Sequence, residues 1–189
     1  RDGKQYQTAT LSGRCWMTEN LSFGIGLTGL PALPQTDNCI AEKYCAPGDA
    51  TCSSNGGYYQ WDELMDYSVS TWTKGICPPE WHVPSETEFQ QLIDNLVPGI
   101  GAPNANASVA PELKDFFLIN GFHALLGGFN YLDNSWVFNA TPLSAAMFWT
   151  SAGSSSDRSV ARGLNIFTPS ISRYAGSRGN AFPVRCIKD

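Results

Sequence analysis

Six cysteines constrain this 189-residue chain more than any other feature. They are Cys15, Cys39, Cys45, Cys52, Cys77 and Cys186. No C-x-x-C pair occurs and the only histidines are His82 and His123, so the ligand spacing of a zinc site is absent. An even count without metal spacing points to an oxidising compartment and to disulfides throughout. Many pairings are open to such a set, and spacing alone does not choose among them.

A cross-linked chain must still fill a core. Here 12% of residues are aromatic, six of them Trp, beside 18 Gly and 12 Pro. That mixture predicts large rings joined by long, turn-rich loops, with little helix. The length suits a single domain over residues 1–189. A formal net charge of −5 argues against general nucleic-acid binding, which needs a basic face to neutralise phosphates. No apolar run approaches the length of a membrane span. A chain opening on Arg1 rather than Met is expected to have been trimmed, with any anchor lost upstream.

Local signals place the first elements. Tyr6, Thr8 and Thr10 alternate, Ser12-Gly13 makes a turn, and Cys15-Trp16-Met17 begins the return strand of a hairpin. Residues 24–37 read as loop from their Gly and Pro content. A short helix is expected over 62–67, with Trp61, Leu64 and Met65 on one side. The clearest signal lies in CPPEWHVPSETEFQQLIDNL, where Ser85 and Glu88 form a capping box. Phe89, Leu92, Ile93 and Leu96 then give one apolar stripe. Residues 98–112 read as an exposed loop, and 129–138 as a hairpin around Leu132-Asp133-Asn134-Ser135. Hairpin, two helices, then several strands make an α+β domain.

The C-terminal stretch has another character. Phe148-Trp149 opens it, and Phe182, Val184 and Cys186 close it in alternation with Pro183 and Arg185, the period of a half-buried strand. Between them Leu164, Ile166 and Ile171 sit among small polar residues, a loop-like composition. From Ser151 to Ile187 there is no Lys, Glu, Gln, Met or Trp. At the density of the preceding residues roughly six would be expected.

GRCWMTENLS, EKYCAPGDATCSSNGGYYQWDELMDY, GICPPEWHVPSETEFQQL and the closing FPVRCIKD together resemble the Fibrobacter succinogenes major paralogous domain. WHVPSETEF and VRCIKD also resemble, more loosely, the formylglycine-generating-enzyme branch of the C-type lectin fold. The resemblance implies two helices against a small, twisted, mostly antiparallel sheet, with paired terminal strands and a long irregular excursion. Similar domains serve as variable proteins of diversity-generating retroelements, where adenine-directed copying randomises codons near the C-terminus. Randomising the adenines of an Asn codon cannot yield Lys, Glu, Gln, Met or Trp, the set missing here. The candidate variable region is 151–180. Its candidate varied positions are Ala161, Gly163, Asn165, Phe167, Ser170, Ser172, Tyr174, Ala175, Gly176 and Ser177. Arg162, Leu164, Ile171, Arg173, Arg178, Phe182, Val184 and Arg185 match the family's framework. By the same resemblance Cys77 pairs with Cys186 and Cys45 with Cys52, leaving Cys15 with Cys39.

Catalytic readings find little support. A Cys77–His82 nucleophile competes with a disulfide role for Cys77. Copper chemistry of the formylglycine-generating type needs a close cysteine pair near the C-terminus, where Cys186 stands alone. No G-x-S-x-G supports serine hydrolysis. The Glu-Pro-Asn, Gln-Pro-Asp and Trp-Asn-Asp triplets of calcium-dependent sugar binding are missing. No cofactor is expected, with Asp37, Glu42 and Asp49 the candidates for a structural calcium. Asn20, Asn106 and Asn139 open glycosylation sequons, read as incidental. His123, between Phe122 and Ala124, is expected to be a hydrogen-bonded core residue.

What is left is a surface. Tyr174 and Phe167 would anchor a ligand, Arg158, Arg162 and Arg173 would add charged hydrogen bonds, and Ser, Gly and Asn would adapt, as in antibody paratopes. The expected protein is a non-enzymatic, extracellular or cell-surface binding domain for another protein or a cell-surface glycan. The alternative is a structural domain of a surface appendage without a diversified site.

Overall fold

The computed structural model describes residues 3–27, 34–68, 70, 73–96, 107–108, 121–124, 129–130, 136–137, 145–165 and 170–189. The chain starts as the sequence predicts, with β1 (Thr8–Leu11) and β2 (Arg14–Met17) in an antiparallel hairpin. Ser12 and Gly13 both hold positive φ, at 53° and 75°, the twist a two-residue hairpin turn needs. Two short strands follow, β3 (Ile25–Gly26) and β4 (Glu42–Lys43), paired in parallel.

Helix α1 (Trp61–Leu64) is shorter than expected and runs into a turn where Asp66 and Tyr67 have positive φ. Next come β5 (Trp81–His82) and α2 (Glu86–Leu96). The capping box before α2 forms in both directions. The Glu88 amide donates to Ser85 Oγ at 3.2 Å, and the Ser85 amide donates to Glu88 Oε2 at 2.9 Å. Phe89, Leu92 and Ile93 are buried as the stripe requires. The backbone then contributes β6 (Ala107–Ser108) and the hairpin of β7 (Phe129–Asn130) with β8 (Trp136–Val137). The loop joining that hairpin lies outside the described residues.

Three long strands come last: β9 (Ala145–Gly153), β10 (Arg158–Asn165) and β11 (Ser170–Ser177), followed by β12 (Ile187–Lys188). One sheet has the order β1-β2-β12-β5 and the other β6-β11-β10-β9. The terminal segments are paired, with Ile187 opposite both Trp16 and His82. The domain is α+β, with its strands mostly antiparallel.

Two expectations about this region are corrected. The stretch expected to be irregular is an eight-rung antiparallel pair from Arg158↔Ser177 to Asn165↔Ser170. Val160, Arg162 and Leu164 alternate with Ala161 and Gly163, so the period of two was there beneath the loop-like composition. The half-buried strand expected over 182–186 is instead irregular chain buried on every side, Arg185 included.

Strand β9 separates two cores. Trp149 joins Tyr59, Trp61, Phe182 and Val184 on one side. Phe148, its neighbour, joins Trp16, Phe89, Phe122 and Ile171 on the other. The edge of β9 away from β10 is held by irregular chain: the Trp149 amide donates to Pro183 O at 3.1 Å and the Ser151 amide to Pro84 O at 2.8 Å. The Trp149 and Trp61 indoles spend their N–H across the same junction, Trp149 on Tyr59 O and Trp61 on Thr150 O.

Cys77 bonds Cys186 and Cys45 bonds Cys52. The third pairing is corrected: Cys15 and Cys39 are free. Cys15 faces Thr10 within the hairpin, while Cys39 is exposed in a loop at φ 64°, and nothing local brings the two together. The two cross-links fit an oxidising, extracellular setting, and no helix among the described residues is long and apolar enough to cross a membrane.

Closing a loop with a sequence separation of 109 should stabilise by about 4–5 kcal/mol in the chain-entropy model. Replacing Cys77 and Cys186 together with Ala should therefore lower the midpoint of denaturant unfolding sharply. Replacing Cys15 and Cys39 with Ser should leave it nearly unchanged. Thiol titration of the unfolded, unreduced chain should count only the Cys15 and Cys39 thiols.

Candidate functional site

Strand register sorts the candidate positions onto two faces. On one face Ala161 lies opposite Tyr174, Gly163 opposite Ser172, and Asn165 opposite Ser170. Gly176, opposite Ser159, keeps the same parity. Strand β9 extends this face with Trp149 beside Ala161 and Met147 beside Gly163. Ala175 and Ser177, opposite Val160 and Arg158, fall on the other face, with Arg162, Leu164, Ile171 and Arg173. Phe167 lies outside the described residues.

The shared face is not uniform along its length. At the Trp149 end it belongs to the core: Ala161 is fully buried, and Tyr174 is partly buried with its ring 6.3 Å from that of Phe182. Gly176 is buried beneath that tyrosine. A Cβ built there would come within 2.6 Å of Tyr174 Cε1, so glycine is what lets the ring lie along its own strand. Ala161 and Gly176 therefore set the frame. Toward the other end Gly163 is buried too, and a Cβ there would come within 2.6 Å of Ser172 Oγ and 2.7 Å of Met147 Sδ, so a side chain enters only if one of them shifts. Ser172 is partly exposed, whereas Met147 belongs to the core.

The opposite face explains the framework residues. Arg162 and Arg173 converge on one carboxylate, Glu86, at the first turn of α2. Arg162 Nη2 donates to Glu86 Oε1 at 3.2 Å, Arg173 Nη2 to Oε2 at 3.0 Å, and Arg173 Nε also reaches Oε1. Burial pulls the Arg162 pKa down against the pull of Glu86, whereas the hydrogen bond to Glu86 pushes that of Arg173 up. The expected ligand-facing role of these two arginines is thereby corrected: they tie the sheet to the helix. Arg158 donates to Ala175 O and remains exposed.

Two more arginines lock the ends. Arg178 stacks 4.1 Å from the Trp61 ring, donates to Asp62 and Ser159, and so joins the end of β11 to α1. Arg185 is 1% exposed and sits over the rings of Phe122 and Phe148. Burial lowers its pKa to about 9, which leaves it charged at neutral pH. It donates to Asn20 Oδ1 at 2.9 Å and His123 O at 2.7 Å.

These contacts revise two minor readings. Asn20 is buried, its amide nitrogen bonding Asn55 O, so this sequon holds a structural side chain. His123 is exposed rather than core, because a φ of 48° turns it outward while Phe122 and Ala124 go in. Asn106 and Asn139 lie outside the described residues.

The calcium candidates are committed elsewhere. Asp49, within the Cys45–Cys52 loop, accepts from the amides of Ser53 and Ser54 just beyond it, and the Ser54 contact above all lowers its pKa. The buried Glu42 carboxylate accepts from the Thr36 amide and from Asn38 Nδ2. Asp37 is exposed.

Near the chain end, His82 Nδ1 lies 2.6 Å from Asp189 Oδ1, and its Nε2 lies 3.1 Å from Glu88. The hydrogen bond to Glu88 is the largest influence raising the His82 pKa. Burial alone would raise Glu88, but His82 and Ser85 outweigh it and bring the carboxyl to about 2. Sequence reasoning missed both this cluster and the Glu86 clamp, whose members are far apart in the chain.

A family model described as the Fibrobacter succinogenes major domain matches residues 10–188. No curated protein and no solved structure matches the chain.

The charge interactions of His82 are complete below its unfolded pKa, near 6.5, and are lost as pH rises through its higher folded pKa. The melting temperature should fall as pH rises above about 6.5, and His82→Gln should flatten that slope. Glu86→Gln should cost about 2–3 kcal/mol in denaturant unfolding, because it strands the buried Arg162 charge.

Proposed function

The chain belongs to the Fibrobacter succinogenes major domain family, and we propose that it is a ligand-binding, non-catalytic domain of the C-type lectin fold. In this reading the sheet of β9, β10 and β11 displays diversified side chains, as in variable proteins of diversity-generating retroelements. The patch runs from Tyr174 across Gly163 and Ser172 to Asn165 and Ser170, with Phe167 in the connection between β10 and β11. Its ligand is another protein or a cell-surface glycan, met outside the cell.

One observation carries this reading. The strand register separates Gly163, Asn165, Ser170, Ser172 and Tyr174 from Arg162, Leu164, Ile171 and Arg173, face from face. The first group corresponds to positions that vary in such systems, and the second to positions that stay. Substitutions away from the clamp then leave the Glu86 contacts intact. Exposed substitutions on a held backbone cost within about half a kcal/mol, which permits many versions of the patch at its exposed positions, while buried Gly163 takes a side chain only if Ser172 or Met147 shifts. Ala175 and Ser177 drop out of the patch, and Ala161 and Gly176 support it from beneath.

The test is a glycan-and-protein array probed with this domain and with a Tyr174→Ala, Phe167→Ala variant. A ligand bound by the parent and lost by the variant, at unchanged secondary structure, is the expected result. Sequences from sister isolates should change mostly at 163, 165, 167, 170, 172 and 174. An even spread of changes would favour a structural appendage domain.

A further inference from the structure

A cleft of about 140 Å³ opens on another part of the molecule, between the loop through residues 36–41 and the α1 turn. Its apolar walls come from Phe23, Ile40 and Ile76. Ile40 is 53% exposed, and Ile25, also exposed at 56%, is joined to the same loop through the Ile25 amide and Ala41 O. Large aliphatic side chains left in water around a concavity mark a place that gains by being covered. The volume is close to that of a cavity of about 150 Å³ that holds benzene, so it suits one side chain rather than a large ligand.

The polar lining has one sign of charge. Asp37, Glu63 and Asp66 all border the cleft, and among the described residues no Lys, Arg or His does. Asp37 and Asp66 stand exposed, whereas Glu63 is 3% exposed at the inner wall. Glu63 accepts from the Glu42 amide at 2.8 Å and from Tyr67 Oη at 2.9 Å, one donor to each oxygen. Both of its oxygens are thus matched from within the fold, and the exposed charge at the rim belongs to Asp37 and Asp66. Acidic surface alone would be satisfied by solvent; acid placed around an apolar slot selects a cation that carries its own apolar shaft.

We propose that this cleft binds a primary alkylammonium group, the chemistry of a lysine side chain offered by a protein partner. The methylene stem lies against Phe23, Ile40 and Ile76, and the ammonium meets Asp37 and Asp66. The compact ammonium can be shared between two separate carboxylates, whereas a guanidinium prefers one flat, bidentate acceptor. The proposal does not rest on the diversified patch, which is built on other strands.

Cys39 is free, exposed and part of the cleft lining, so it reports occupancy directly. The full chain is treated with a neutral thiol reagent, and modification of the Cys39 peptide is followed by mass spectrometry. The probe is Nα-acetyl-lysine methylamide, with its norleucine counterpart as the uncharged control and the arginine counterpart as a competitor. Saturable protection of Cys39 by the lysine probe, absent with norleucine, is expected. A combined Asp37→Asn, Asp66→Asn variant should need about tenfold more probe, the effect of losing both rim charges. Asn suits the positive φ at position 66, and an unchanged rate without probe confirms that the loop is intact. No protection, equal protection by norleucine, stronger protection by arginine, or indifference to the double substitution would each overturn the proposal.

Discussion

The domain depends on β9 being a strand with no solvent face over its central residues. Phe148 and Trp149 point in opposite directions, and each lands in a separate aromatic core. A strand buried on both sides cannot slip its register, because a one-residue shift would exchange every side chain between the two cores. The edge opposite β10 is closed by Pro183 and Pro84 carbonyls rather than by a neighbouring strand. Strands β10 and β11 then inherit a fixed position. Strand β10 hydrogen-bonds to this anchored strand and β11 to β10.

Arginines transmit that anchoring. Arg162 and Arg173 reach through one face to Glu86 on α2, Arg178 reaches Asp62 in α1, and Arg185 fills the space between Asn20 and two phenylalanine rings. Each contact crosses from the C-terminal third of the chain to an earlier element. Cys77–Cys186 does the same covalently. The net effect is a division of labour within single strands. Alternate residues of β10 and β11 are spent on attachment, while Ser172 on the other face is left partly exposed.

Local chemistry was legible in the sequence; long-range chemistry was not. The Ser12-Gly13 turn and the Ser85–Glu88 capping box are decided within a few residues, and both form as expected. The pairing of the terminal strands and two of the disulfides came from likeness to a family. Arg185 shows where pattern reading fails. Alternation with Phe182, Val184 and Cys186 implied an exposed cation, yet two ring faces and two oxygen acceptors make burial tolerable. No spacing rule reports that Glu86 will meet Arg162 and Arg173. Cys15 and Cys39 failed for a related reason, since pairing leftovers assumes that every cysteine is spent.

The central claim is that one face of β10 and β11 is bolted down so that part of the other can change. Saturation mutagenesis of 158–177, scored by resistance to a protease that cuts the unfolded chain, tests it residue by residue. The account predicts wide tolerance at Asn165, Ser170 and Ser172, set against intolerance at Val160, Ala161, Arg162, Ile171 and Arg173. Uniform tolerance along both strands, or intolerance concentrated at Ser172, would contradict it.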